Sequence, residues 1–368
     1  MQTPNAYPIR FFFLDALRGL SAFTVVMFHF YINLVPFLKN PLPPEICTIL
    51  RFFKYNVMVF FVLSGFVIAY SLKDTVVTGS YCVNFILRRF IRLDPPYWCI
   101  ILLTLGMAFI SQNFFKATTL NTVPSISVLI SHFFYLQEFL EHEHFILVSW
   151  TLCYEVQFYL YFVGVLWFHQ NWIKNVFSKS FQRQVFIFVL LFLPCLIPIG
   201  QKYGLIPLVP GLFTNLFYSF LSGIVICWKM EGKLDRGLFF GYTLFLGFFY
   251  ALPLNMEGTY CFVIFLTIYA LVKFNKLSWT GGPFLQYLGR ISYSLYLVHF
   301  LVGSRAQALM LRIFGAELSL WEGFVVFSLS IFISIVAAHL FYLFVEKPCL
   351  KWSQHFKNRK ECIVINSF

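Results

Sequence analysis

The sequence predicts an all-α membrane protein, a polytopic helix bundle of about ten transmembrane helices with both termini in the cytoplasm. Of the 368 residues, 60% are hydrophobic and only 11% are charged, whereas soluble domains carry about 25% charged residues. The mean hydropathy is +0.77. The formal net charge is +12, but the Lys and Arg residues fall in short clusters between apolar runs. This distribution is typical of cytoplasmic loops and argues against nucleic-acid binding.

Lysine and arginine positions set the expected topology. The cluster Arg88, Arg89 and Arg92 follows the second apolar run and fixes that loop as cytoplasmic. The half-apolar segment near 125–139 sets the sidedness of all later loops. If it crossed the membrane fully, the later basic loops would lie outside the cytoplasm. We therefore interpret that segment as re-entrant or lying at the surface. The predicted spans are near 14–34, 54–73, 95–112, 149–168, 184–199, 211–229, 237–252, 258–273, 290–311 and 322–345, within a membrane domain of 10–350 and before a basic cytoplasmic tail of 351–368.

The first span, Leu14 to Leu34, carries ionisable residues that a lipid-facing helix would avoid. Asp15 and Arg18 lie near its start, and His29 lies deep inside it. Eleven residues separate Arg18 from His29, which is three turns plus about 20°, so both side chains share one face roughly 16 Å apart. In this topology Arg18 is near the cytoplasmic surface and His29 is beyond the midplane. Intramembrane ionisable groups usually face a bundle interior or a wet cavity. Helix packing by His29 and snorkelling by Arg18 are the alternatives.

The next two segments also combine apolar and polar residues. Ser64-Gly65 in the second span favours close helix packing. Arg88, Arg89 and Arg92 follow in an amphipathic segment that Pro95-Pro96 is expected to end before the third span. This basic surface suits either anionic lipid headgroups or a phosphorylated soluble cofactor.

Glu155 is the carboxylate placed well inside the fourth span, in the segment SWTLCYEVQFYLYF that begins at Ser149-Trp150. A carboxylate at that depth must be paired or neutral. The expected depth brings Glu155 towards His29, where it could hold the imidazole as a general base. A purely structural Glu–Arg or Glu–His bridge is the alternative.

Two later segments contain further histidines. GRISYSLYLVHF places His299 in mid-span after Tyr293, which suggests the wall of the same cavity or a structural role. Residues 141–144 alternate Glu and His, but two histidines in a loop are weak evidence for zinc, and we predict a solvated loop and no metal site. The loop 112–148 is polar, aromatic and extracytoplasmic in this topology, and it is a hypothetical site of substrate selection.

Six blocks, taken in order, resemble the acyltransferase 3 family of integral-membrane acyltransferases. The blocks cover residues 14 to 348 and read LDALRGLSAFTVVMFHF, FFVLSGFVIAYSL, FILRRFIRLDPPYW, SWTLCYEVQFYLYF, ISYSLYLVHF and VEKP. The resemblance implies transfer of an acyl group, usually acetyl, from cytoplasmic acyl-CoA to a hydroxyl, usually on a sugar. Implied acceptors include lipopolysaccharide O-antigen, exopolysaccharide and small natural products.

The resemblance also implies roles for residues. The essential Arg and His of the family fall on Arg18 and His29, and its Arg-rich segment falls on Arg88, Arg89 and Arg92. Its first block Glu falls on Glu155, while its second is replaced by Val156. Some members add an extracytoplasmic SGNH-type hydrolase domain, which we do not expect here.

Together these inferences predict an inner-membrane O-acetyltransferase. Arg18 and the three arginines 88, 89 and 92 bind acyl-CoA, and His29 acts as a base oriented by Glu155 or carries the acyl group transiently. The predicted substrate cavity consists of Asp15, Ser149, Trp150, Tyr293 and His299. Expected partners are acyl-CoA, a carbohydrate or glycolipid acceptor and membrane lipids, with no nucleic acid and no permanently bound cofactor. A transporter or lipid-linked glycan carrier with an ion path along Arg18, His29 and Glu155 is the rival function, and a membrane scaffold is the third.

Overall fold

The computed structural model describes residues 11–115, 124–173, 176, 179–252, 255–276, 278–315 and 317–356, and for 111–115 it describes the backbone only. Within these ranges the chain is helical, apart from turns and one isolated bridge between Leu38 and Leu318. The all-α prediction is confirmed. Most of the predicted basic tail lies outside the described residues.

Sixteen α-helices follow one another along the described chain. The first eight are α1 (Phe12–Leu34), α2 (Pro44–Phe52), α3 (Val57–Ser71), α4 (Gly79–Phe115), α5 (Ile126–Phe133), α6 (Trp150–Phe168), α7 (Ser180–Phe192) and α8 (Ile197–Lys202). The second eight are α9 (Phe217–Met230), α10 (Arg236–Leu246), α11 (Met256–Lys273), α12 (Pro283–Arg290), α13 (Ser292–Val298), α14 (Ser304–Phe314), α15 (Leu320–Phe341) and α16 (Lys347–Ser353). Five-residue π-helical segments extend four of them, at His169–Ile173, Gly247–Ala251, His299–Gly303 and Tyr342–Glu346.

Eight helical stretches of the described chain are long and apolar enough to cross a membrane: Phe12–Phe37, Pro44–Ser71, Gly79–Ile110, Leu147–Ile173, Ser180–Lys202, Met256–Lys273, Ser292–Phe314 and Leu320–Phe356. Each overlaps with a predicted span, although the second and third begin 10 and 16 residues earlier than predicted, at Pro44 and Gly79. The remaining two predicted spans correspond to α9 and α10, which are 14 and 11 residues long. The polytopic bundle is thus confirmed, while the number ten and the cytoplasmic termini stay predictions.

The half-apolar segment near 125–139 contains only the eight-residue helix α5. Eight residues rise about 12 Å, far less than the ~30 Å hydrocarbon core of a bilayer. The helix is capped by the Ser125 hydroxyl and followed by turns. The length of α5 agrees with the interpretation that this segment does not cross the membrane.

Helix α4 overturns one expectation about Pro95-Pro96. The prolines do not end the arginine-bearing segment, because both lie inside one helix of 37 residues. A proline removes a backbone donor, so a helix can continue only if neighbouring groups compensate. Pro95 and Pro96 cannot donate to the carbonyls of residues 91 and 92. The Tyr293 hydroxyl donates to the adjacent Leu93 carbonyl at 2.7 Å, which ties this part of α4 to α13. Arg88, Arg89 and Arg92 are therefore fixed to the third span and not to a separate surface helix.

Helix α1 is the centre of the bundle. It packs against α2, α3, α12, α13, α14 and α15. Gly19 allows a close approach to α12, since a Cβ there would lie 2.3 Å from the Leu285 carbonyl oxygen. Because α1 is a single uninterrupted helix, the predicted alignment of Arg18 with His29 holds.

Helices α3 and α9 form another close contact. A Cβ on Gly65 would meet the Phe220 carbonyl oxygen at 2.0 Å, and one on Gly223 would meet the Val62 carbonyl oxygen at 1.9 Å. The backbones touch because neither glycine has a side chain. Gly65 is therefore the residue of the Ser64-Gly65 pair that makes the predicted close helix contact.

We expect Gly65→Ala to lower the melting temperature of the detergent-purified protein. The added methyl group must push α9 away, and overpacking of this kind costs about 1–3 kcal/mol. Gly164→Ala on α6 is the matched control, because a Cβ there meets nothing within 4 Å. Equal melting temperatures for the two variants would contradict the close contact.

Candidate active site

One cavity lies among α1, α3, α4, α6 and α13. Its volume is about 90 Å³. Five of the predicted site residues line it: Arg18, Arg89, Arg92, Glu155 and Tyr293. The other lining residues are mostly apolar, with Ser64, Thr151, Tyr159, Ser292 and Tyr296 as the polar members. Residues from distant parts of the chain thus meet around one charged space.

The carboxylate of Glu155 is the acidic group in this lining. Ser64 Oγ donates to its Oε1 at 3.0 Å, and the Tyr159 hydroxyl donates to the same oxygen. The Arg89 guanidinium lies over the Tyr159 ring, 5.1 Å from its centroid. Three arginines against one glutamate leave the lining with a net positive charge, which suits an anionic ligand.

A second buried carboxylate, Glu346, supports the arginines from behind. It is 3% exposed, and its Oε2 accepts hydrogen bonds from the backbone N–H and the hydroxyl of Ser294, at 3.1 and 2.5 Å. Its electrostatic partners include Arg92 and Arg18. The block VEKP at the end of the last apolar span predicts for Glu346 only a pairing with a lysine or arginine at the membrane interface. The sequence signal for a larger role was that Glu346, like Glu155, is a carboxylate in an apolar span.

Tyr296 forms the wall between this cavity and the histidines. Its hydroxyl donates to the Val148 carbonyl at 2.5 Å and is hydrogen-bonded with Thr151 Oγ1 at 2.7 Å. Its ring centroid is 6.2 Å from that of His299. Tyr296 belongs to the segment GRISYSLYLVHF, for which the sequence suggested a cavity wall. Thr151 was not predicted, because a threonine inside an apolar helix is usually a packing residue.

His29 and His299 lie beside each other, with ring centroids 5.3 Å apart. The Phe300 ring is 5.1 Å from His29. His299 is fully buried, and its Nδ1 is 3.0 Å from the Leu295 carbonyl oxygen. Since a carbonyl oxygen only accepts, Nδ1 carries the hydrogen of the neutral ring and Nε2 is a free acceptor. Nε2 has no hydrogen-bond partner within the described ranges.

A family model described as an acyltransferase domain matches residues 11–339. The chain belongs to this acyltransferase 3 family. The match covers α1 to α14 and most of α15, including every element that lines the cavity. No curated protein and no solved structure matches the chain. With its apolar helices, the protein is a membrane acyltransferase.

Glu155 and His29 occupy different parts of this acyltransferase. Glu155 bonds with Ser64 and Tyr159 in the cavity that holds Arg18. His29 is about 16 Å further along α1. The expectation that Glu155 orients His29 is therefore corrected: α6 brings its carboxylate to the arginine end of α1, and His299 is the polar neighbour of His29.

Four other predicted site residues lie outside the cavity lining of the acyltransferase. Arg88 turns towards Tyr81, whose hydroxyl is 3.4 Å from its Nη2. Asp15 is buried where α1 meets α12, with its carbonyl 2.2 Å from the Cβ position of Gly289. Trp150 packs on the Phe61 ring. The fourth, Ser149, belongs to the network of the loop before α6.

The described part of that loop forms a closed polar network around His132. The fully buried His132 has Nδ1 3.0 Å from the Tyr97 hydroxyl and 3.5 Å from Ser149 Oγ. Its Nε2 accepts from the Phe145 backbone N–H at 3.3 Å. Burial lowers the pKa of His132, so the neutral ring is the form that fits.

The alternating segment 141–144 also bonds within the loop. His142 Nδ1 is 2.9 Å from Ser131 Oγ, and His144 Nδ1 is 3.3 Å from Glu138 Oε1. Among the residues that the structure describes, no three His, Cys, Asp or Glu side chains are placed to hold a metal ion. This loop is held by its own side chains and by Tyr97 of α4.

Proposed function

We propose that this membrane acyltransferase moves an acyl group, acetyl first among the candidates, from acyl-CoA to a hydroxyl of a cell-surface carbohydrate such as lipopolysaccharide O-antigen or exopolysaccharide. The observation that carries the proposal is the alignment of the arginine cavity with the His29–His299 pair along α1. We place the protein in the inner (plasma) membrane, where cytoplasmic acyl-CoA can reach the arginines.

Phosphate recognition supports acyl-CoA as the donor. Arg18, Arg89 and Arg92 face one space, and guanidinium groups pair well with phosphate oxygens. Glu155 and Glu346 lie among the electrostatic partners of these arginines. With the phosphates there, the pantetheine arm runs along the α1 face past Tyr296 towards His29.

His29 acts as the general base in this proposal. It takes the proton of the acceptor hydroxyl, the oxygen attacks the thioester carbonyl, the C–S bond breaks, and the CoA sulfur receives a proton. General base catalysis is worth about 10²- to 10⁴-fold in rate. In the alternative route the His29 nitrogen attacks the thioester, and the C–S bond breaks to release CoA. The acceptor hydroxyl then attacks the acyl-His29, the acyl–nitrogen bond breaks as the ester forms, and the hydroxyl proton passes to the released imidazole.

His299 takes the orienting role that the sequence assigned to Glu155. The Leu295 carbonyl fixes the hydrogen of His299 on Nδ1, which leaves Nε2 to accept a hydrogen bond. The neighbouring ring of His29 can donate it and so keep its other nitrogen free as the base. Apolar rings such as Phe300 keep water from the thioester.

Free thiol release tests the function. Purified protein in nanodiscs is mixed with acetyl-CoA, with and without a surface-polysaccharide extract, and free CoA thiol is followed. We expect release that depends on the extract, because the acceptor hydroxyl must attack the thioester. If the folded protein neither binds nor turns over short acyl-CoA, that result would contradict the proposed enzymatic function and favour the rival carrier function.

A further inference from the structure

A second cavity opens at the other end of α1. Its volume is about 590 Å³, and it lies where α1 and α14 both end. In the predicted topology this end is extracytoplasmic. The lining residues are Asn33, Phe37, Ser304, Gln307, Ala308, Leu311, Arg312 and Gly315.

Gln307 gives this cavity a buried polar group that lacks a partner. The residue is fully buried, and its Nε2 donates to the Phe30 carbonyl at 2.9 Å. This bond fixes the amide, and its Oε1 has no donor among the described residues. A buried acceptor without a donor costs free energy, so the cavity is suited to a ligand that brings an O–H or N–H group.

Further polar groups line the same space. Asn33 Nδ2 donates to Ser304 Oγ at 3.4 Å, which leaves the Asn33 amide oxygen and the Ser304 hydroxyl hydrogen for a ligand. Arg312 is exposed at the mouth. Amide and hydroxyl groups together match the alternating donors and acceptors of a sugar, whereas a lipid chain would satisfy none of them.

This cavity begins one helical turn beyond the histidine pair. Asn33 is four residues after His29, so both lie on neighbouring positions of one α1 face. On the other side, Ser304 directly follows the segment His299–Gly303. The arginine cavity and the second cavity therefore approach the two histidines from opposite ends.

We propose that the second cavity is the acceptor site and binds a hydroxyl-rich carbohydrate, with one hydroxyl directed to His29. The proposal rests on the proposed function and adds to it the side from which the acceptor enters. That hydroxyl gives its proton to His29 and its oxygen forms the new ester, while the thiol of CoA leaves towards the arginines. Donor and acceptor thus never compete for one entrance.

Substitution of Gln307 is the first test. Gln307→Leu and Ser304→Ala are compared with wild type for thiol release from acetyl-CoA over a titration of the polysaccharide extract. We expect the half-saturating amount of extract to rise about tenfold for Gln307→Leu, as for one lost hydrogen bond. Acetyl-CoA binding should be unchanged. Unchanged half-saturation in a folded variant overturns the acceptor site.

Chemical blocking keeps the proposal testable if Gln307→Leu does not fold. Ala308→Cys lines the cavity, while Leu309→Cys is its neighbour, 60% exposed and outside the lining. Both are treated with a bulky membrane-impermeant maleimide in nanodiscs, with treated wild type as the background. The Ala308→Cys adduct should stop extract-dependent release and leave acetyl-CoA binding intact, and the Leu309→Cys adduct should do neither.

The outcomes separate the two proposals. An inactive wild type rejects the proposed function. An active wild type whose Ala308→Cys adduct transfers at the normal rate rejects the acceptor site alone and leaves the cavity to lipid.

Discussion

His29→Ala is expected to lower acyl transfer by about 10²- to 10⁴-fold, the range typical of a removed general base. The loss should appear in kcat, because the substitution leaves the arginine cavity about 16 Å away intact. Acetyl-CoA should bind the variant as it binds wild type. The measurement is extract-dependent thiol release together with an equilibrium binding isotherm for acetyl-CoA.

His339→Ala is the matched control for His29→Ala. His339 is also an intramembrane histidine, but it lies on α15, where its Nδ1 is 3.1 Å from the Tyr287 hydroxyl. His339→Ala should change the stability of the protein and leave the rate of acyl transfer unchanged. If folded His29→Ala turns over at the wild-type rate, the base lies elsewhere, and His299 is the next residue to substitute.

Arg92→Gln is expected to raise the Kd for acetyl-CoA about ten- to a hundredfold. Arg92 faces the cavity beside Arg18, and a charge-assisted hydrogen bond to phosphate contributes about 1.5–3 kcal/mol. S-acetylpantetheine lacks the phosphates of the nucleotide. Its turnover by Arg92→Gln should therefore stay close to that of wild type.

Arg88→Gln is the comparison that separates the three arginines. The structure turns Arg88 towards Tyr81, away from the cavity lining. We expect a smaller change in the Kd for acetyl-CoA than with Arg92→Gln. Equal effects, or an equal loss with S-acetylpantetheine, would show that the arginines act through stability or surface charge and not through phosphate.

The fold class followed from composition, because an excess of apolar residues leaves a membrane bundle as the stable arrangement. The Arg18–His29 alignment followed from helix geometry alone. The continuity of helix α4 through Pro95-Pro96 did not follow from the sequence, because a proline pair normally ends a helix. Whether a helix continues through such a pair depends on how the segment packs in the folded bundle, which the sequence does not show.

The sequence likewise predicted some features of the candidate site and not others. Ionisable residues inside apolar runs mark a functional interior, which pointed to Arg18 and Glu155. Arg89 and Arg92 were instead predicted from a basic amphipathic segment that suits lipid headgroups or a phosphorylated cofactor. The sequence does not contain the depth at which helices from distant parts of the chain meet, so Glu155 was expected beside His29. The two-sided role of Ser64-Gly65, with one residue bonding to Glu155 and the other touching α9, also appears only in three dimensions.

The arginine cavity has a consequence for turnover. Its cations are about 16 Å from the base, so they hold the part of the donor that the reaction does not alter. Spent CoA keeps the same phosphates and is held by the same guanidinium groups. Product inhibition, competitive with acyl-CoA, is thus built into the proposed donor site, and the ratio of acylated to free CoA in the cytoplasm would govern the rate of the enzyme.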